Sequence, residues 1–303
     1  MAEHRSGFVS IIGRPNAGKS TLLNALVGQK VAIVADKPQT TRTSIQGVAT
    51  TPEAQIIFID TPGIHKADSP INKRMMDAVR AALEERDLLL LVVDASRAFS
   101  EEDAQAVDLA KKTGTPVVLV LNKVDLLKDK ARLLPLIERY KALADFADYL
   151  PVSAAKGEGL DELRRAILER LPQGPAYFPE DYVTDQPERY LAAELVREKV
   201  LEATRQEVPH AVAVTVDRWE ETPEITRIYA TIRVERPGQK AIIIGTKGAM
   251  LKKIGMLARE EMERLFGIRI YLNLYVRVQP GWREQPAFLN ALDWRTMAGE
   301  DDS

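Results

Sequence analysis

The sequence predicts an α/β fold with a mostly parallel sheet, followed by a smaller α+β unit. Three observations carry this. Apolar runs alternate with helical patterns from residue 8 to residue 170, the mark of a layered α/β arrangement. Two of those runs, Leu88–Val93 and Val117–Leu121, are apolar throughout, as in strands buried on both faces of a parallel sheet. Beyond Pro172 and Pro175 the alternation stops and a different order of elements begins.

In the first part, strands are expected at Phe8–Ile12, Ile45–Thr50, Gln55–Ile59, Leu88–Val93, Val117–Leu121 and Tyr149–Val152, and helices at Lys19–Val27, Ile71–Glu85, Glu101–Lys112, Ala131–Leu143 and Leu160–Arg170. Ligands of such sheets sit beyond the carboxyl ends of the strands, so the residues that follow each strand carry the chemistry. Pro172, Pro175 and Pro179 keep the next stretch extended. The expected division is 1–175, a linker over 176–187, and a second domain over 188–303. There a helix is expected over Glu188–Arg205, then strands entered at Gln206–Val214, over Ile225–Val234 and over Ile268–Val278.

Composition narrows the function. The 303 residues carry a net charge of −2 and no cysteine. Bulk charge therefore predicts no nucleic-acid or membrane partner, and disulfides and thiolate chemistry are excluded. No apolar run is long enough to span a bilayer. The first strand starts within a few residues of Met1, which leaves no room for a cleaved signal. The expectation is a soluble intracellular protein.

Residues 13–20 fit G-x-x-x-x-G-K-[ST], a loop whose backbone N–H groups wrap a polyphosphate. It lies between a strand and a helix, as that chemistry requires, and the helix N-terminus adds partial positive charge. Gly13, Ala17 and Gly18 form the cradle with Asn16, Thr21 follows it, Lys19 reaches the β- and γ-phosphates, and Ser20 ligates Mg²⁺. Lys37–Thr43 is a hydroxyl-rich loop in which a threonine could ligate the ion. Asp60 ends a buried strand in Asp-Thr-Pro-Gly. Its carboxylate suits Mg²⁺, directly or through water, and the Gly63 N–H can face the γ-phosphate. Asn122-Lys123-Val124-Asp125 selects the base. A carboxylate at Asp125 pairs with guanine N1–H and the 2-amino group, and adenine offers neither donor. Asn122 ties loops together, Lys123 packs over the base, and in Ser153-Ala154-Ala155-Lys156 the Ala154 amide can donate to guanine O6.

The second half centres on Gly245-Thr246-Lys247-Gly248. From Arg236 to Arg259 there are six basic residues and no acidic one, within a segment (176–303) that has 18 Lys/Arg and 21 Asp/Glu. The basic patch is thus local. Two glycines let a nucleic-acid backbone lie close, Lys247 meets phosphate, and Lys240, Lys252 and Lys253 flank it. G-x-x-G between Ile242–Ile244 and Lys252-Lys253-Ile254 is the loop of a KH RNA-binding module.

These motifs together resemble the translation-factor-like GTPases, and the Era family in particular. The phosphate loop, Thr40-Thr41-Arg42, Asp60-Thr61-Pro62-Gly63, Asn122–Asp125 and Ser153–Lys156 match its five signatures in order, and Gln206–Val214 resembles a further family segment. The resemblance covers nearly the whole chain. It implies a P-loop GTPase domain followed by a type II KH domain, with GTP or GDP and Mg²⁺ as cofactors. Thr41, rather than Thr40 or Thr43, looks like the switch threonine on Mg²⁺, with Lys19, Thr41 and Gly63 acting in catalysis. Asn16 resembles the asparagine that holds K⁺ in some related GTPases; a turn-forming asparagine is the equal alternative. Ile64 stands where Ras-like proteins carry a water-orienting glutamine, which implies slow intrinsic hydrolysis. The resemblance also implies binding to the 3′ region of small-subunit ribosomal RNA, a role in assembly of the 30S subunit, a monomer, and cytoplasmic residence with some peripheral association at the inner membrane face. No amphipathic basic anchor supports that last point.

Two other functions compete with a GTP-hydrolysing switch. One is an RNA-binding assembly factor that holds GTP as a static ligand. The other is a metabolic P-loop kinase, against which Asn122–Asp125 argues. Loops 37–43 and 63–73 are the expected switches. His4, His65 and His210 have no metal-ligand spacing; Trp219, Trp282 and Trp294 are expected in packing or at the surface, and Gly299–Ser303 as a disordered tail.

Overall fold

The computed structural model describes residues 4–37, 39–64, 69–84, 86–205 and 208–294. His65, part of the 63–73 switch loop, the start of the Gln206–Val214 segment and the tail Gly299–Ser303 lie outside the described residues. The chain divides into two compact units. One comprises residues 1–32, 41–68 and 72–185; the other comprises 33–40, 69–71 and 186–303.

The first unit alternates as expected: β1 (Arg5–Ile12), α1 (Lys19–Val27), β2 (Ile45–Thr50), β3 (Ala54–Asp60), α2 (Pro70–Ala81), β4 (Leu88–Asp94), α3 (Glu101–Lys111), β5 (Val117–Asn122), α4 (Leu133–Lys141), β6 (Asp148–Pro151) and α5 (Leu160–Arg170). Its sheet has the order β2-β3-β1-β4-β5-β6. Only β2 runs antiparallel to its neighbour. Successive strand residues face opposite sides, and each side has its own core. Val9, Ile11, Leu90, Val92, Val118 and Val120 pack with Leu22, Leu23, Leu163 and Ile167. Ile12, Leu89, Leu91, Val93, Leu119 and Leu121 pack with Val79, Val107 and Tyr140. That two-sided burial is why β4 and β5 contain no polar residue before their last positions. The helix expected over Ala131–Leu143 begins later. A 3-10 turn at Lys130–Arg132 precedes it, and Pro135 falls in its first turn, where a missing N–H is tolerated. The segment after α5 stays on this unit: the Gln55 Oε1 accepts from Tyr177 and Phe178 N–H, and Val48 N–H donates to Val183.

The second unit comprises α6 (Glu188–Ala203), β7 (Ala213–Glu221), β8 (Thr226–Val234), α7 (Pro237–Ile244), α8 (Ala249–Phe266), β9 (Ile270–Val278) and α9 (Pro286–Ala291). β8 lies between antiparallel β7 and parallel β9. Ile228, Ala230 and Ile232 of the sheet meet Leu195, Val196 and Val200 of α6 and Ile254, Ala258 and Met262 of α8. The four-residue spacing on each helix makes one apolar stripe. One element differs from the sequence reading. The Ile242–Ile244 run closes a helix, α7, which Pro237 opens at a first-turn position suited to its fixed φ. The Gln239 Oε1 accepts from Glu235 and Arg236 N–H. Trp282 is fully buried, and its Nε1 donates to the Ala211 carbonyl at 3.0 Å, so it is a core residue that anchors the start of α9.

Candidate functional site

The phosphate loop joins the end of β1 to α1. Gly13, Asn16 and Gly18 all have positive φ (149°, 59° and 93°). A Cβ at Gly13 would stand 2.2 Å from the Val92 carbonyl, and one at Gly18 would stand 2.3 Å from the Asn122 Nδ2. The glycines are therefore demanded by the neighbouring strand ends as well as by any phosphate. The Lys19 Nζ donates to the carbonyls of Gly13 (3.1 Å) and Arg14 (3.0 Å), which bends its ammonium back over the loop. Burial lowers its pKa to about 8, while Asp60 pulls it upward.

Ser20, Thr41 and Asp60 converge. The Ser20 Oγ donates to Asp60 Oδ2 at 2.6 Å and lies 2.8 Å from the Thr41 Oγ1, which is 3.5 Å from the same carboxylate oxygen. Asp60 is 0% exposed, and its Oδ1 has no hydrogen-bond partner among the described residues. Burial raises its pKa to about 6, against the pull of Lys19 and of hydrogen bonds from Ser20, Thr61 and Thr41. An orphaned buried carboxylate oxygen beside two hydroxyls fits Mg²⁺, a hard cation that takes oxygen ligands and keeps several waters.

Gly63 sits against Pro15: a Cβ there would approach the Pro15 backbone to 2.7 Å. The next residue's N–H, that of Ile64, donates to the Gly13 carbonyl at 3.2 Å, so the Asp-Thr-Pro-Gly turn is laced to the phosphate loop. Ile64 is 3% exposed and packs with Ile12, Val79 and Leu91. Its side chain is a core element, directed by packing.

The base-reading residues form one network. The Asn122 Nδ2 donates to the Ala17 carbonyl (2.9 Å), and its Oδ1 accepts from the Ala154 N–H (3.0 Å). The Ala154 amide expected to meet guanine O6 is thus engaged by Asn122, and contact with a base would require that bond to be shared or exchanged. The Asp125 Oδ1 accepts from the Ser153 Oγ at 2.6 Å. Asp125 is exposed, so its carboxylate is desolvated only when a base covers it. Lys123 has φ 67°; its Nζ donates to the Asn16 carbonyl (2.6 Å) and to Asp94 Oδ2 (2.9 Å). Sequence reasoning missed Asp94. Burial pushes its carboxyl up, but the bonds from Lys123 and Ser96 outweigh that and hold it below its ordinary value. The signal was present: one carboxylate closes the otherwise apolar run Leu88–Val93.

In the second unit the loop Gly245–Gly248 joins α7 to α8. Gly245 has φ 68°, and a Cβ there would lie 2.7 Å from the Met250 Cβ. Lys247 and Gly248 also have positive φ, and nothing lies within 4 Å of a Cβ built on Gly248. Thr246 and Lys247 are exposed at the N-terminal end of α8, and Lys252 and Lys253 are exposed on its next turn; Lys240 is half-buried on α7. Beside them Ile242 and Met256 are 48% and 46% exposed. An open backbone, lysines and uncovered apolar side chains together suit a polyanion with apolar faces.

Comparison with known proteins agrees with both units. Residues 8–123 match the model of a 50S ribosome-binding GTPase family, and residues 207–283 match a KH domain model. The chain is 51% identical over 96% of its length to GTPase Era of Geobacter metallireducens, covering 98% of that protein. It is 48% identical to GTPase Era of Rippkaea orientalis, over 96% of this chain and 93% of that one. Among solved structures, a variant of Aquifex aeolicus Era bound to GDP and tetrafluoroaluminate superposes with a TM-score of 0.92 at 42% identity, over 96% of this chain and 99% of that chain. An Era complex with MgGDPNP and nucleotides 1506–1542 of 16S ribosomal RNA gives the same TM-score, identity and coverage. With half of its residues identical over nearly the full length of a relative, this chain belongs to the Era family of GTPases.

Proposed function

We propose that the protein is a GTP-hydrolysing switch that binds the 3′ region of small-subunit ribosomal RNA and acts in assembly of the 30S subunit. The observation that carries this is the likeness, over 96% of the chain, to an Era protein complexed with MgGDPNP and a 16S RNA fragment. In this reading Gly13, Asn16, Ala17, Gly18, Lys19, Ser20 and Thr21 hold the phosphates. Ser20, Thr41 and Asp60 hold Mg²⁺, which offsets charge on the phosphates. Lys19 and the Gly63 N–H stabilise the oxygens of the transferring group. Asn122, Lys123, Asp125, Ser153 and Ala154 read guanine, and Lys240, Gly245–Gly248, Lys252 and Lys253 hold RNA. The domains are 1–175 and 188–303, joined by 176–187. Asn16 is either a K⁺ ligand or a turn-former, as its φ of 59° suits; hydrolysis compared in K⁺ and Na⁺ at equal ionic strength separates the two.

The test is RNA affinity of the full chain with a GTP analogue and with GDP at fixed salt, since phosphate contacts make affinity depend on salt. Unequal affinities support the switch; equal ones sink it. The second reading, GTP as a static ligand, is favoured by the burial of Ile64, which supplies no water-orienting group. Single-turnover hydrolysis with RNA, Mg²⁺ and K⁺ separates the two. No helix among the described residues is long and apolar enough to cross a membrane. We assign the protein to the cytoplasm as a monomer, with peripheral association at the inner membrane face to be checked by flotation with anionic vesicles.

A further inference from the structure

Of residues 13–20 only Arg14 and Lys19 are charged. Lys19 has its task at the phosphates, but the Arg14 side chain turns to α3. It is 8% exposed; its Nε lies 3.4 Å from Asp103 Oδ1, and its Nη1 donates to the Ser100 Oγ at 3.3 Å. Both partners stand at the start of α3, in the same compact unit as the phosphate loop. A buried charge must be paired and hydrogen-bonded, and the pairing here is itself braced. The Asp103 Oδ2 accepts from the Ser100 N–H (2.9 Å) and Oγ (2.8 Å), which leaves Oδ1 for the guanidinium. Glu101, Glu102 and Asp103 fill the first turn of α3 and offset the partial positive charge of a helix start, so a cation can lie there. Burial first, and then the Asp103 carboxylate, push the Tyr140 phenol of α4 above its ordinary value, so it stays neutral beside the pair.

The Arg14 carbonyl accepts from the Lys19 Nζ at 3.0 Å. We propose that Arg14 and Asp103 are positioning residues for the Lys19 ammonium. Pro15 follows Arg14, and a residue before proline is confined to extended backbone. A planar guanidinium held by two partners fixes direction as well as distance. With its backbone confined and its side chain clamped to α3, Arg14 has one direction left for its carbonyl. An ammonium has three N–H donors. The Gly13 and Arg14 carbonyls take two, and those two aim the third at the phosphate oxygens. The proposal rests on the reading of Lys19 as the group that meets the phosphates.

The test is a double-mutant cycle on GTP affinity in the full chain, measured by competition against a fluorescent guanine nucleotide. Arg14→Met is expected to weaken GTP about fivefold, the worth of one ordinary hydrogen bond. In a Lys19→Ala background the same change should cost less than about twofold, because residues that act through one group are not additive. Asp103→Asn follows the same pattern. Arg14→Lys, which keeps the charge but not the fork, leaves a loss of less than about threefold. Preference for GTP over ATP stays within about twofold of wild type in all of them, since Asp125 is untouched. No loss for Arg14→Met, an equal loss with and without Lys19, or a changed base preference overturns the positioning role alone. Normal GTP affinity for Lys19→Ala overturns the phosphate reading of Lys19 and the proposal with it. If Arg14→Met does not fold, Arg14→Met with Asp103→Asn runs the same cycle, since it leaves neither charge buried alone and keeps an acceptor for Ser100.

Discussion

Replacing Asp125 by Asn should convert a guanine site into a xanthine site. In the proposed pose both carboxylate oxygens accept from guanine, one from N1–H and one from the 2-amino group. Hydrogen bonds to a charged group contribute about 1.5–3 kcal/mol each. Asn keeps one acceptor oxygen, which can still receive the Ser153 hydroxyl now 2.6 Å from Asp125, but its amide N–H₂ then faces a guanine donor. One bond is lost and one donor is opposed. Asp125 is exposed before the base arrives, which argues for the lower end of the range, about 3 kcal/mol in all. That corresponds to about a 150-fold loss of GTP affinity. Xanthine carries a carbonyl in place of the 2-amino group, so the new N–H₂ finds an acceptor and XTP should gain by a similar factor. Competition of GTP, XTP and ATP against a fluorescent guanine nucleotide measures all three. GTP affinity within about threefold of wild type, with XTP still weak, would refute the assignment of Asp125, because no arrangement of the two bonds tolerates the change at so low a cost.

Asp94→Ala removes the buried partner of Lys123 and frees the ammonium from its place beside the Asn16 carbonyl; GTP affinity by the same competition should fall about tenfold, the equivalent of one charge-assisted bond. Lys247→Glu puts like charge where phosphate is expected, so RNA binding should weaken at least about tenfold while GTP affinity stays near wild type; a large GTP defect would show that the RNA loop and the nucleotide site are not separate. Trp282→Ala empties a fully buried site in the second unit and leaves the Ala211 carbonyl without its donor, which should cost about 3–5 kcal/mol of that unit's stability by denaturant unfolding.

Much of the fold is legible locally. The apolar runs at Leu88 and Val117 read as doubly buried strands because nothing polar is tolerated on either face, and both are strands with a core on each side. The phosphate loop reads from its glycines because backbone with positive φ admits few other residues. Other features were not legible, since their causes lie elsewhere in the chain. α7 was not legible because three consecutive β-branched residues, Ile242–Ile244, have low helix propensity; its helix is set by Pro237, Gln239 and packing of Ile243 on the second unit's core. Asp94 looked like the end of a strand until Lys123, 29 residues later, was seen beside it.

The sequence by itself determined the chemical types available: a glycine cradle, a lysine, hydroxyls and a carboxylate for a phosphate–metal site, Asp125 for guanine, and a second glycine loop among lysines. Those follow from residue identity and short spacing, which local backbone geometry enforces. Only the tertiary structure decided who shares each group. It put Ser20 and Thr41 beside one carboxylate oxygen of Asp60, gave the Ala154 N–H to Asn122, and turned Ile64 into the core. It also tied Val34 and Thr40 to Glu198 and Arg197 of α6. Those pairings span up to 164 residues. They exist because a buried charge or amide must find a partner wherever the packed chain supplies one.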